Sequence, residues 1–126
     1  ALVPDQPFAQ AIGWLHLAWL QWAQGDASAD DTATRAAARF AATGDHRLVA
    51  QTRAYQALYA WAAGDLDRTR ERARSGVDVR LGPDTHGWVW VTARLLAAAG
   101  ETPPTIEAPS TAVRPAYERL VRTFGG

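Results

Sequence analysis

Glycine followed by an acidic residue recurs along this chain, as Gly25-Asp26, Gly44-Asp45, Gly64-Asp65 and Gly100-Glu101. Helices commonly end on a residue in the left-handed conformation, which glycine reaches without steric cost. An aspartate just after that residue can accept a hydrogen bond from an unpaired backbone N–H at the start of another helix. Each dipeptide therefore reads as a helix stop joined to a helix start. Gly82-Pro83 adds a further break. The stretch from Gly44 to Gly82 is then one antiparallel helix pair with a turn signal at either end. Gly25, Gly64 and Gly100 are 39 and 36 residues apart, a period that marks helical-repeat arrays. In such arrays one pair cannot bury its apolar face alone, and stacking neighbours build the core.

The segments between the glycines carry helical patterning. Asp5 or Gln6 can cap a first helix with Pro7 in its first turn, running to Gln24. Phe8, Ile12, Leu15, Trp19 and Trp22 form one stripe along it, with Trp14, Leu17 and Leu20 elsewhere on its circumference. A helix apolar nearly all round is covered on more than one side. Ser28 is the expected cap of the second helix, with Asp31 three residues on in a capping-box variant. Asp31, Arg35 and Arg39 suit its solvated face, and Ala33, Ala36, Ala37 and Phe40 its packed face. The third helix spans Asp45 to Ala63. The fourth starts at the cap Asp65 and runs toward Arg80, charged on most faces. Thr85 is the expected cap of the fifth, which ends at Gly100. Its Trp88-Val89-Trp90-Val91 run is strand-like in isolation, but its place between a cap and an Ala-rich end predicts helix. A Pro-rich connector over 101–114 leads to a short last helix, Pro115 to Phe124, with Tyr117, Leu120 and Val121 to pack.

Composition narrows function mostly by exclusion. The chain has 126 residues, 48% apolar and 21% charged, which suits one folded domain with a real core. The basic and acidic residues balance at 13 each. A neutral chain offers no electrostatic reason to expect nucleic acid or an anionic membrane as the partner. Arg68, Arg70, Arg72 and Arg74 lie among Asp65, Asp67, Glu71 and Asp78, an ordinary solvated face. Cys, Met, Lys and Asn are absent and Ala occurs 27 times, a pattern that fits GC-rich codon usage. Without Cys there is no disulfide framework, thiolate metal site or Cys nucleophile. The chain begins at Ala1 without the layout of a signal peptide and reads as an excised domain or processed chain, expected in the cytoplasm. The apolar stretch Phe8 to Ala23 is interrupted by Gln10, His16 and Gln21 and is shorter than the roughly 20 residues of a bilayer span. His16, His46 and His86 make no His-x3-His pair and no HExxH, which speaks against zinc. No nucleophile is marked out beside His16, so the chain reads as non-enzymatic, with no catalytic residue, metal or cofactor.

The punctuation and the residues around it resemble the tetratricopeptide (TPR) class. Trp14, Leu17 and Ala18 sit at its Trp, Leu and small-residue positions, followed by Gly25-Asp26. Ala42-Thr43-Gly44-Asp45-His46-Arg47-Leu48-Val49-Ala50-Gln51 and Ala60-Trp61-Ala62-Ala63-Gly64-Asp65-Leu66-Asp67-Arg68 resemble the sensor repeats of MalT-like and LuxR-type bacterial transcriptional regulators. The resemblance covers about residues 8 to 100 and implies an all-α, TPR-like right-handed α-solenoid of about three antiparallel helix pairs (about 7–43, 45–81 and 85–124) in a single domain. It also implies a sensing or scaffolding role in a regulator, with DNA binding elsewhere in the parent protein.

In TPR arrays the first helix of each pair lines the concave surface. Aligned on their terminal glycines, the three such helices place Trp22, Trp61 and Ala97 in one row. Trp19, Leu58 and Arg94 make the next, then His16, Tyr55 and Val91, then Leu15, Ala54 and Trp90. The resemblance therefore implies a groove lined by His16, Trp19, Trp22, Tyr55, Leu58, Trp61, Trp90 and Arg94, suited to a small molecule, a peptide or a neighbouring helix. Two readings of the tryptophans stand: core, the usual fate of large apolar residues, or a recognition surface, toward which six Trp in so small a chain weigh. Arg94 is the expected polar anchor, over Trp90 and facing a ligand carboxylate or carbonyl; the alternatives are an internal ion pair or a solvated side chain. The leading function is a ligand- or peptide-binding sensor domain. The rivals are a protein-interaction or homodimerisation module and a stand-alone small-molecule sequestering protein.

Overall fold

The computed structural model describes residues 7–79, 82, 85–106 and 114–125, with side chains at all of these except 7, 8, 117, 120, 121 and 123–125. All regular structure in the described residues is helical: α1 (Pro7–Ala23), α2 (Ala29–Ala42), α3 (His46–Ala62), α4 (Leu66–Val77), α5 (His86–Ala98) and α6 (Arg114–Gly125). The Trp88 to Val91 run is helical, inside α5.

The turn chemistry accounts for these boundaries. Gly25, Gly44, Gly64 and Gly100 all have positive φ, between 71° and 96°. At Gly64 the geometry is a Schellman motif: Asp65 N–H donates to the Ala60 carbonyl and Gly64 N–H to that of Trp61, both at 3.0 Å. That pairing satisfies carbonyls which the helix end would otherwise leave open. Asp45 and Asp65 then cap α3 and α4, accepting from the N–H groups of Leu48 at 3.1 Å and Arg68 at 3.0 Å.

Ser28 and Thr85 behave differently from expectation. Neither side chain caps its helix, because both backbones are already in the right-handed helical region, away from the extended geometry a capping side chain needs. Asp26 instead accepts from Ser28 N–H at 2.8 Å, and the Thr85 hydroxyl accepts from Gly82 N–H at 2.8 Å. Helix α4 ends at Val77 rather than near Arg80, and Arg80 itself lies outside the described residues. So do Asp5 and Gln6, half of the Pro-rich connector (107–113), and the side chains of Tyr117, Leu120 and Val121.

Consecutive helices pack from α1 through α5, and α3 also packs against α5. Helix α6 lies against both α3 and α5. Among the described residues two apolar clusters result. One joins α1, α2 and the start of α3 through Ala11, Leu15, Ala36, Phe40, Leu48 and Val49. The other joins α3, α4 and α5 through Ala57, Leu58, Ala73, Trp90, Val91, Leu95 and Leu96. Helix α3 contributes to both, which is why it is buried on most of its circumference. The alanines of α2 are its contact face: Ala33, Ala36 and Ala37 are fully buried, and their small size brings α1 and α3 close. Gly76 does the same for α4. A Cβ there would lie 2.5 Å from Thr92 Cγ2 and 3.3 Å from Arg53 Cβ. The buried hydroxyls of Thr52, Thr69 and Thr92 each donate to a carbonyl one turn back, at 2.7 to 2.8 Å, so they enter the interior already satisfied.

Candidate functional site: an aromatic band and the cleft at its edge

Helices α1, α3 and α5 carry a connected set of aromatic rings. His16 stacks on Trp19 with centroids 5.2 Å apart, and Trp19 meets Tyr55 at 5.8 Å. Tyr55 reaches Trp88 at 5.6 Å and Tyr59 at 6.5 Å. Tyr59 stacks on Trp22 at 4.2 Å, the planes 7° from parallel. Spacings of three residues in α1 (His16, Trp19, Trp22) and four in α3 (Tyr55, Tyr59) put each set on one side of its helix. The Trp and Tyr rings are half-buried and His16 is exposed. Burial raises the phenol pKa of Tyr55, with a smaller contribution from Tyr59, and burial likewise raises that of Tyr59. Both phenols therefore stay protonated well past neutral pH. The Trp19 indole N–H is buried without an acceptor among the described residues, the least satisfied polar atom of the band.

Four of the eight residues expected to line one surface belong to this band: His16, Trp19, Trp22 and Tyr55. The other four are elsewhere. Leu58 is fully enclosed, at 0% exposure, in the α3–α4–α5 cluster; its position on α3 faces α4 and α5, so it is core. Trp90 is 7% exposed in the same cluster, and the guanidinium of Arg94 covers its ring at 4.9 Å. Trp61 is half-buried and packs against that cluster. Leu15, Ala54 and Val91, from the same glycine-aligned rows, are core as well. Alignment on the turn glycines places residues along a helix correctly. It does not decide which sides the neighbouring helices cover. Arg94 is exposed and forms its expected cation–π contact with Trp90, and none of the described ion pairs involves it. With Trp90 beneath it in the core, Arg94 stands apart from the band.

At the Trp22–Tyr59 end the band opens onto a cleft of about 530 Å³ between the α1–α2 and α3–α4 turns. Its walls include the two stacked rings, small alanines of both turns, and the polar residues Asp26, Asp30, Gln56, Asp65 and Arg68. Asp30 is the hub of this polar side. Its carboxylate accepts from Arg68 at 2.8 Å, from Arg72 through Nε at 3.1 Å and again through Nη2, and from Gln56 at 3.2 Å. The Gln56 amide also donates to the Asp30 carbonyl at 3.2 Å and to Thr34 at 3.0 Å. Arg53 lies close by, its pKa lowered by burial and by Arg72 and partly restored by Asp30. Gln56 is almost wholly buried, and Arg72 and Asp30 are only 14% and 17% exposed.

Arg68, Arg70, Arg72 and Arg74 are thus not a freely solvated face. Arg68 and Arg72 hold Asp30, Arg70 pairs with Asp67 and the Ala99 carbonyl, and Arg74 pairs with Glu101. Sequence reasoning did not single out Asp30, Gln56, Tyr59 or Trp88. The ring partners had a signal in the four-residue spacing of Tyr55 and Tyr59. The Asp30 partners are 26 to 42 residues distant, and nothing local announces them.

Among the described residues no cluster of three or more His, Asp or Glu side chains is arranged to hold a metal ion, and no helix is long and apolar enough to cross a membrane. Nothing matches this chain among protein-family models, curated proteins or solved structures.

Proposed function

We propose that this chain is a non-enzymatic binding domain, a TPR-like right-handed stack of helix pairs that holds a small molecule or peptide on the aromatic surface of α1, α3 and α5. Its place would be the sensor or scaffold region of a bacterial regulator. The observation that carries the reading is the connected band of His16, Trp19, Tyr55, Trp88, Tyr59 and Trp22. Ring faces that stay half open offer large contact area with little side-chain entropy to lose, which suits recognition. Packing of each helix on the next, with α3 also on α5, is the neighbour pattern of a repeat stack and supports the architecture.

The test is a titration with indole, a neutral aromatic probe, followed by NMR of the aromatic side chains. Perturbation concentrated on Trp19, Trp22, Tyr55, Tyr59 and Trp88 is the expected result. Saturable binding that perturbs only other residues, or none at millimolar indole, overturns the reading.

One observation favours an interaction module as the second reading. Leu17 and Leu20 on α1 are 44% and 61% exposed, apolar area that a protein partner or a second copy would cover. Concentration-dependent sedimentation abolished by Leu20→Glu would put this reading first.

A further inference from the structure

We infer that the cleft beside the Trp22–Tyr59 stack is a binding site for an organic cation, an ammonium or guanidinium group carried on an apolar body. The inference rests on the binding reading above and gives it a ligand class.

Three features of the cleft converge. Its volume, about 530 Å³, is within the range of small-molecule sites. One wall is a stacked pair of electron-rich rings, Trp22 and Tyr59, at 4.2 Å, and the π faces of Trp and Tyr attract cations. The rest of the charged lining is Asp26, Asp30, Asp65 and Arg68. Arg68 and Arg72 both pair with the one Asp30 carboxylate, so together with Asp26 and Asp65 these five groups carry one net negative charge, placed at the rim by Asp26 and Asp65. Each carboxylate uses Oδ1 on a backbone N–H, of Ser28 and Arg68 respectively. The second oxygen of each has no partner among the described residues. An anion would meet two carboxylates there, and Arg68, the cation among the described lining residues, is engaged. A neutral ligand can donate a hydrogen bond to these carboxylates but does not offset their charge. A cation on an apolar body gains from rings, alanines and carboxylates together.

The experiment compares benzyltrimethylammonium, benzyl alcohol and phenylacetate, read by tryptophan fluorescence and NMR at low and high salt. The cation should bind about tenfold more tightly than the alcohol, weaken with salt, and perturb Trp22 and Tyr59; phenylacetate should not bind there. The double variant Asp26→Asn/Asp65→Asn removes the charge while keeping side chains that serve at helix starts. It should lose most of that preference with an unchanged melting temperature. A Gly-Lys-Gly peptide provides the second source of the same chemistry. Tighter binding of the peptide identifies a lysine side chain as the natural cation, and tighter binding of benzyltrimethylammonium identifies a small molecule; either upholds the inference. Equal affinity for alcohol and ammonium overturns the cation assignment while leaving the binding domain in place, and a preference that survives the double variant overturns the role of Asp26 and Asp65 in it. Failure of all three probes at the cleft while indole still binds the band also removes it. Failure of indole as well takes down the parent reading with it.

Discussion

The aromatic band on α1, α3 and α5 and the ionic seam among α2, α3 and α4 both tie neighbouring helices together, but they end in opposite states. In the seam nearly every polar atom is answered from within the chain: Asp30 alone serves Arg68, Arg72 and Gln56. In the band the rings touch at centroid distances from 4.2 to 6.5 Å, yet they stay half open, and the Trp19 N–H finds no acceptor among the described residues. A partly buried charge without a partner is costly, so a fold that encloses Asp30 must also supply its partners. An aromatic ring exposed on one side carries no such penalty. The lesson is that a charge-rich helix such as α4 can be structural while an apolar-looking set of rings stays half open.

The largest expected effect tests the seam. Asp30→Ala strips the shared acceptor from Arg68, Arg72 and Gln56 and leaves the least exposed of these, Arg72 and Gln56, short of partners. We expect a loss of about 3 kcal/mol in urea unfolding, with Asp30→Asn intermediate because the Gln56 contact can persist. A change within about 0.5 kcal/mol, typical of plain surface substitutions, would make the seam an ordinary solvated face after all.

The band should respond more mildly in stability and more strongly in binding. Trp22→Leu removes the stack on Tyr59 but keeps apolar cover over the turn. Its expected stability cost is about 1 kcal/mol, with loss of the fluorescence response to indole or benzyltrimethylammonium. A cost well above that of Asp30→Ala would reverse the comparison and make the band the structural element.

The smallest effect concerns pH. The Tyr55 and Tyr59 pKa values are raised on folding, chiefly by burial. A raised phenol contributes stability that is fully present below the unfolded value, about 10, and is lost as pH climbs through the folded value. Stability should therefore fall above pH about 10, and the double variant Tyr55→Phe/Tyr59→Phe should flatten that fall. An equal alkaline slope in wild type and variant would show that the phenols are not the groups responsible.

How much of this could be read in advance differs from residue to residue. The glycine and aspartate punctuation was legible because a cap is local: Gly64, Asp65 and Arg68 complete it within one turn. Ser28 was misleading for an equally local reason, since its own backbone is helical and its role passes to Asp26. The aromatic stripe on α1 was legible as a stripe, and His16, Trp19 and Trp22 do share one side. Leu58 and Trp90 were placed on the same surface by counting back from glycines, yet they are core, because both point into the cluster that α3, α4 and α5 share.

By itself, then, the order of residues determined what depends on neighbours within about one helical turn: where the glycine and aspartate turns fall, which residues share a side, and that no strand was needed for the Trp88 to Val91 run. Tertiary structure alone decided which sides were covered. Asp30 meets Arg72 from 42 positions away, Trp22 meets Tyr59 across two turns, and Gly76 matters only because Thr92 lies against it. The physical reason is that hydrogen bonds, ring contacts and close packing act over a few ångströms, while the separations along the chain that bring these partners together are set by how whole helices stack.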